Sequence, residues 1–215
     1  MSQEIVESVM EPLVDTMLEM QEQMNQKVNT DWRNQSYEWY RAIWVECAEL
    51  MDHYGWKWWK HQSPDLEQIK LELVDIWHFG LSLMLVEAAG NLGLSNIIVK
   101  EFSEPRHYDD FLTAVEAFTT EVLQERKFSV ASFAGLAKLM DMDMSDLHRR
   151  YVAKNVLNFF RQDNGYKDGS YRKLWGGRED NEHLVEVLAD VDSQASDFRD
   201  QLYNALKQRY QRFTD

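Results

Sequence analysis

Proline and glycine are scarce in this chain, at three and nine among 215 residues. So few turn-specifying residues exclude a fold of many short strands and favour long helices. Cysteine is scarcer still: a lone Cys47 permits no internal disulfide and suits a reducing compartment. Long apolar runs are missing too. The most apolar stretch, 76–86, contains His78, Gly80 and Ser82 and falls far short of the ~20 residues that span a bilayer. It reads as a helix buried on most of its circumference. The opening MSQEIVESVM has neither the basic nor the apolar block of a secretory signal, so a soluble, cytoplasmic protein without membrane contact is expected. Positive charge is also short, since 23 Lys and Arg face 37 Asp and Glu for a net −14. Such a surface repels nucleic acid and anionic lipid, so no direct nucleic-acid binding is expected. A phosphate-bearing ligand would need a local cationic island or metal ions.

What is present is core-forming. Apolar residues make up 44% of the chain, with eight Trp, nine Tyr and ten Phe. Helical periodicity dominates. Ile5, Val9, Leu13, Met17, Met20, Met24 and Val28 recur at spacings of three or four over 3–28. A second helix is predicted over 36–54, starting near Ser36 and stopped by Gly55. A third runs from Pro64, capped by Ser63, to Ala89, closed by Gly90 and Gly93. Residues 91–106 read as a connection, because Pro105 argues against helix there. Helices follow over 107–126, 129–141 and 144–162, then a polar loop over 163–178 and a helical C-terminal segment, 179–215. No repeat and no strand alternation is evident. The expected fold is all-α: one domain over 1–215, a bundle of roughly six or more helices.

Helices two and three carry the chemistry. Glu46 and Glu49 stand three apart and share a face, which Ala42, Ile43, Val45 and Leu50 line with apolar groups. Glu72 and Asp75 repeat the pattern, flanked by Ile69, Ile76 and Phe79. One such pair is ordinary on a helix surface. Two pairs among core-type residues on consecutive helices converge if those helices pack antiparallel. Two like charges ~4 Å apart repel by ~4 kcal/mol at an effective dielectric near 20, so protons or cations must neutralise the group. Oxygen-only ligation selects hard ions, Mg²⁺ above all with Mn²⁺ as a substitute, and these accept phosphate oxygens.

A second constellation spans 154–178. Six basic residues (Lys154, Arg161, Lys167, Arg172, Lys173, Arg178) face two acids (Asp163, Asp168) in a strongly acidic protein. Lys154, Asn158 and Arg161 share a helical face, and Gly165 and Gly169 mark a loop able to close over a ligand. A solvated loop balancing nearby acids is the plain alternative. No G-x-x-x-x-G-K-[ST] or G-x-G-x-x-G string occurs, so phosphate would be held by side chains and metal.

The strings ECAELMD, WKWWK, LELVDIWHF and KNVLNFFRQDNGYKDGSYRKLWGGREDN occur in that order. Together they resemble the dimeric all-α dUTP pyrophosphatases over about 17–185. That resemblance implies Mg²⁺-dependent hydrolysis of dUTP, and also dUDP, to dUMP. It implies a homodimer acting on a deoxyuridine nucleotide. It gives Glu46, Glu49, Glu72 and Asp75 to the metals, with Glu49 activating water. Lys154, Arg161, Tyr166 and Lys173 match phosphate contacts, and Asn158 a contact to deoxyribose and base. Phe79 matches the ring beneath uracil, while Gln21, Asn25 and a Trp of the 56–59 run, Trp56 or Trp59, match the pocket at the uracil edge. The run offers Trp58 as well, and the residues do not say which indole faces the ligand. Segment 91–142 carries no matching motif.

Three rival readings stay open. Within the enzyme class, the specificity could be for dCTP or for many nucleotides. A di-iron carboxylate bundle needs Glu-x-x-His on two helices, whereas the chain has one Asp75…His78 pair. A non-catalytic helical interaction protein would have no use for the four acids.

Overall fold

The structure, a computed structural model, describes residues 3–88, 93–193 and 195–214. Ala89 and Gly90, at the expected end of the third helix, lie outside the described residues. Nine α-helices, one short 3-10 helix (Trp32–Asn34) and one two-stranded ladder make up the regular structure among those residues, so the fold is all-α. The chain divides into two compact units, 1–148 and 149–215, with the division inside one helix. No helix among the described residues is long and apolar enough to cross a membrane.

The first unit contains α1 (Gln3–Val28), α2 (Trp39–Tyr54), α3 (Leu66–Ala88), α4 (Leu94–Ser103), α5 (Phe111–Glu125), α6 (Val130–Leu139) and the start of α7 (Met144–Asp163). On α1 the buried stripe is Val14, Met17, Met20, Gln21, Met24 and Asn25. Val9 and Val28, at the ends of the expected stripe, are exposed. Helix α2 begins three residues later than predicted, because Ser36 adopts φ 53° and cannot continue a helix. It ends where expected, on Gly55 at φ 90°, whose N–H donates to the Met51 carbonyl. Helix α3 also starts late. Asp65, rather than Ser63, caps it: its carboxylate accepts from the Gln68 N–H and its carbonyl from the Ile69 N–H.

Burial on α3 runs almost all round the helix, as its composition predicted, and includes Ile69, Leu71, Leu73, Val74, Ile76, Trp77 and Leu81. Trp77 packs against Phe102, Phe128 and Phe133, with ring centroids 4.9–6.1 Å apart. Gly80 permits this approach, since a Cβ there would meet the Phe128 ring at 2.6 Å.

Helix α4 corrects the reading of 91–106 as a connection. Leu94, Ile98, Val99 and Phe102 are buried on one side of it, a helical spacing. Pro105 terminates this helix, which stops at Ser103, and does not prevent it.

Residues 149–215 hold the rest of α7, the strands β1 (Leu174–Trp175) and β2 (Arg178–Glu179), α8 (Asp180–Asp190) and α9 (Phe198–Thr214). The strands pair antiparallel around Gly176 and Gly177, both at positive φ, the backbone that a two-residue hairpin demands. Phe160, Tyr171, Trp175 and Tyr210 form an aromatic core at centroid separations of 5.3–6.4 Å.

Candidate functional site

Three contacts fix the direction of α2 against α3. Trp39 meets Phe79 at 6.2 Å between ring centroids, His53 Nε2 meets Glu72 Oε1 at 3.5 Å, and the Asp65 N–H donates to the His53 carbonyl at 3.0 Å. Early α2 residues therefore face late α3 residues, and the helices run antiparallel, as convergence of the acids requires.

Glu46, Glu72 and Asp75 come together, each offering an oxygen within 4.8 Å of the others. Glu72 is buried and the other two half-buried. At that separation two ionised carboxylates repel by ~3 kcal/mol at an effective dielectric near 20. The electrostatics reflect this crowding. Burial, and then the charges of Asp75, Glu72 and Glu49, push the Glu46 carboxyl from 4.5 up to about 9. The cluster thus accommodates a proton where a cation would otherwise sit, and its all-oxygen donor set fits a hard divalent ion.

Glu49 is placed differently. It is exposed and stands outside the trio, beside Trp44, Val45, Ala48 and Asp52 along an outer groove of α2. Val45, expected on the inward face, is half exposed. Glu49 is still near enough for its charge to act on Glu46.

The raised Glu46 value yields a pH prediction. A carboxyl with a folded pKa above its unfolded one binds protons more tightly when folded, so the metal-free protein should lose stability as pH rises from about 5 to about 9. A divalent cation bound at pH 7 should release close to one proton. Calorimetric titration in buffers of different ionisation enthalpy measures that release, and heats independent of buffer would contradict it.

One helical turn beyond Asp75, about 6 Å along α3, lies Phe79, and a buried polar network runs from His78 beside it to Ser82 a turn further on. Gln21 and Asn25 of α1 and His78 and Ser82 of α3 form two i,i+4 pairs, all four buried. Gln21 Nε2 donates to Asn25 Oδ1 (3.0 Å) and Ser82 Oγ (2.9 Å), and Asn25 Nδ2 donates to Ser82 Oγ (3.0 Å). His78 Nδ1 lies 2.7 Å from Gln21 Oε1. Trp32 borders this region, its indole N–H on the Glu22 carboxylate at 3.2 Å.

The tryptophans of the 56–59 run engage elsewhere. Trp56 donates to Asp52 Oδ1 at 3.3 Å and packs edge-on against Trp59, which in turn meets Trp58, 90% exposed. The indole beside Phe79 is Trp39.

In the second unit two of the predicted cations, Lys154 and Arg161, converge on Asp180 and Asn181, which the sequence alone did not single out. Arg161 grips Asp180 with two bonds of 2.8 Å and also donates to Asn158 Oδ1 at 3.1 Å. Lys154, 1% exposed, donates to Asn181 Oδ1 at 2.9 Å, and the Tyr171 hydroxyl donates to Asp180 at 2.8 Å. Burial pushes Asp180 up, but the bonds and charge of Arg161, then Tyr171 and Lys154, hold it below the ordinary carboxylate range. Lys173 pairs with Glu179 at 3.1 Å across the base of the hairpin, and Tyr166 stays half exposed near Tyr171. The signal for Asp180 was present, an acid at the first turn of a helix behind a Gly-Gly hairpin. Ser82 had a weaker one, a hydroxyl four residues after His78 in the most apolar run.

A family model described as dUTPase matches residues 14–166, well over half of the chain. The match takes in the acidic trio, the polar network and α7, and stops before the hairpin. No curated protein matches the chain.

Proposed function

We propose, from the premise that this chain belongs to the all-α dUTPase family, that it hydrolyses dUTP, and also dUDP, in a Mg²⁺-dependent reaction that releases dUMP. The observation that carries the reading is the convergence of Glu46, Glu72 and Asp75 one turn before Phe79 and the buried amide network. A polyanion binder and a reader of polar base edges then lie along the same helix, which is what a nucleotide requires.

Glu46, Glu72 and Asp75 would hold a divalent ion, with Glu49 at the margin of the set. Bound there, the ion supplies charge neutralisation for the triphosphate and a lowered pKa for water. Glu49, exposed while its charge reaches the cluster, takes the proton of the attacking water. Phe79 stacks on the pyrimidine, a contact worth ~1–3 kcal/mol. Gln21 and Asn25 meet the base edge with amide donors and acceptors. Within 149–215, Lys154, Arg161, Tyr166 and Lys173 are the side chains that supply charge and hydrogen bonds of the kind a phosphate takes, and Asn158 of the kind a sugar takes. The exposed Trp44, Trp56, Trp58 and Trp59 offer apolar surface to a second copy, and light scattering should give a dimer mass.

Pyrophosphate release from dUTP, dCTP, dTTP and UTP, with Mg²⁺ present or chelated, tests the reading. We expect dUTP to be the preferred substrate and chelation to stop the reaction; equal turnover of all four would remove the base assignment. Glu49→Gln should lower kcat by roughly 10²–10⁴-fold, the usual worth of a general base, with little change in melting temperature. Near-normal kcat in that variant would take Glu49 out of the mechanism.

A further inference from the structure

The four-residue network on α1 and α3 has one internally consistent orientation of its two amides, and Ser82 selects it. The Ser82 hydroxyl, 0% exposed, has the His78 carbonyl at 3.0 Å and Asn25 Oδ1 at 3.4 Å as acceptors, and donates its single proton in either case. Its oxygen then offers only lone pairs to the two amides that approach it, Gln21 Nε2 and Asn25 Nδ2. Both amides must turn their N–H groups toward Ser82. Rotating them by half a turn would set two amide oxygens against a hydroxyl oxygen able to donate to only one, leaving a buried oxygen–oxygen contact near 3 Å without a proton.

The consequence passes to the imidazole. With Gln21 Nε2 committed to Ser82 and Asn25, Gln21 Oε1 is the atom facing His78 Nδ1 at 2.7 Å. A carbonyl oxygen only accepts, so Nδ1 carries the proton and, in the neutral ring, Nε2 carries a lone pair. The network therefore has a polarity: an N–H donor on Asn25 and a lone-pair acceptor on His78.

We propose that Ser82 is a specificity-determining positioning residue, which locks Gln21, Asn25 and His78 into the polarity that fits a pyrimidine imide edge, C=O beside N–H, and opposes the cytosine edge. This rests on the reading of the site as the base pocket of a deoxyuridine nucleotide. Cytosine presents an amino group beside an unprotonated N3, a donor where the site has a donor and an acceptor where it has an acceptor. Sites built this way reject the mismatched edge because their buried polar groups are left unpaired. Ser82 itself need not touch the nucleotide.

Two measurements test it. Nitrogen NMR of ligand-free protein should show His78 protonated at Nδ1 and not at Nε2, a result that needs neither turnover nor a folded variant. The ratio of kcat/KM for dUTP over dCTP should fall at least about tenfold in Ser82→Ala, with the loss mostly in discrimination and much less in kcat for dUTP. An Nε2-protonated ring in the wild-type protein would overturn the proposal. So would an unchanged ratio in a Ser82→Ala protein that melts like the wild type, while leaving the deoxyuridine reading intact. Wild-type protein that cleaves neither nucleotide would remove that reading, and the specificity claim with it, whatever the tautomer.

Discussion

Glu72→Gln should stabilise the metal-free protein while nearly abolishing its activity. Glu72 is the buried member of the trio, within 4.8 Å of Glu46 and Asp75. Gln preserves shape, removes one charge, and gives neighbouring carboxylates an N–H donor. Burial is the larger cause of the raised Glu46 value and stays, but the share that comes from the charge of Glu72 is relieved, and the melting temperature measured in chelator should rise by roughly 2–4 °C per kcal/mol recovered. Divalent-ion affinity falls for the same reason. A bound ion is worth several kcal/mol to a reaction at phosphate, and each 1.36 kcal/mol is tenfold in rate, so a loss of about 10³-fold or more in turnover is expected. Opposite signs in two assays are the signature of an acid retained for function at the expense of stability. A variant that melts lower and still hydrolyses dUTP would show the trio to be structural.

Asp180→Ala should have the largest effect on stability. Asp180 is wholly buried and takes two bonds from Arg161 and one from the Tyr171 hydroxyl. Removing it strands a guanidinium in the interior, a change that costs about 3–5 kcal/mol. For a chain of this size that corresponds to a fall on the order of 10 °C in melting temperature. Asp180→Asn keeps an acceptor for Tyr171 and should lose less. Because Asp180 is held below its ordinary range, its stabilising contribution is fully present above the unfolded value of 3.8 and is lost as pH falls through the lower folded one. Wild-type protein should therefore show an acid-side loss of stability that the Asn variant lacks. Identical acid profiles would mean that the Arg161 pair carries little of the fold.

The helices and the acidic trio were legible in the sequence because both depend on local spacing. Gly55 stops α2 as its αL preference dictates, and Glu46, Glu72 and Asp75 declare themselves by i,i+3 pairs inside apolar flanks. What stayed hidden depends on contacts between distant segments or on very short elements. Pro105 drew attention to a break and concealed α4, whose four buried positions carry an ordinary helical period. The hairpin escaped because two-residue strands leave no alternation to read, though Gly176-Gly177 marked its turn. Trp39 was indistinguishable from the other tryptophans until α2 was laid antiparallel on α3. The Gln21–Asn25–His78–Ser82 network lies across 61 residues of sequence, and only its i,i+4 halves could be seen in advance. Asp180 was one acid among 37 Asp and Glu; Gly176-Gly177 before it marked a turn and a helix start, but its burial depends on contacts with Arg161 and Tyr171.

Titration of Mn²⁺ into the protein, with and without an imido analogue of dUTP that resists hydrolysis, goes to the heart of the matter. If carboxylates on two antiparallel helices hold the ion and the ion meets the phosphates, each ligand must tighten the other by the same factor, and Glu72→Gln must erase that coupling. Analogue binding that is equally strong in chelator, or coupling that survives the Glu72→Gln change, would contradict it.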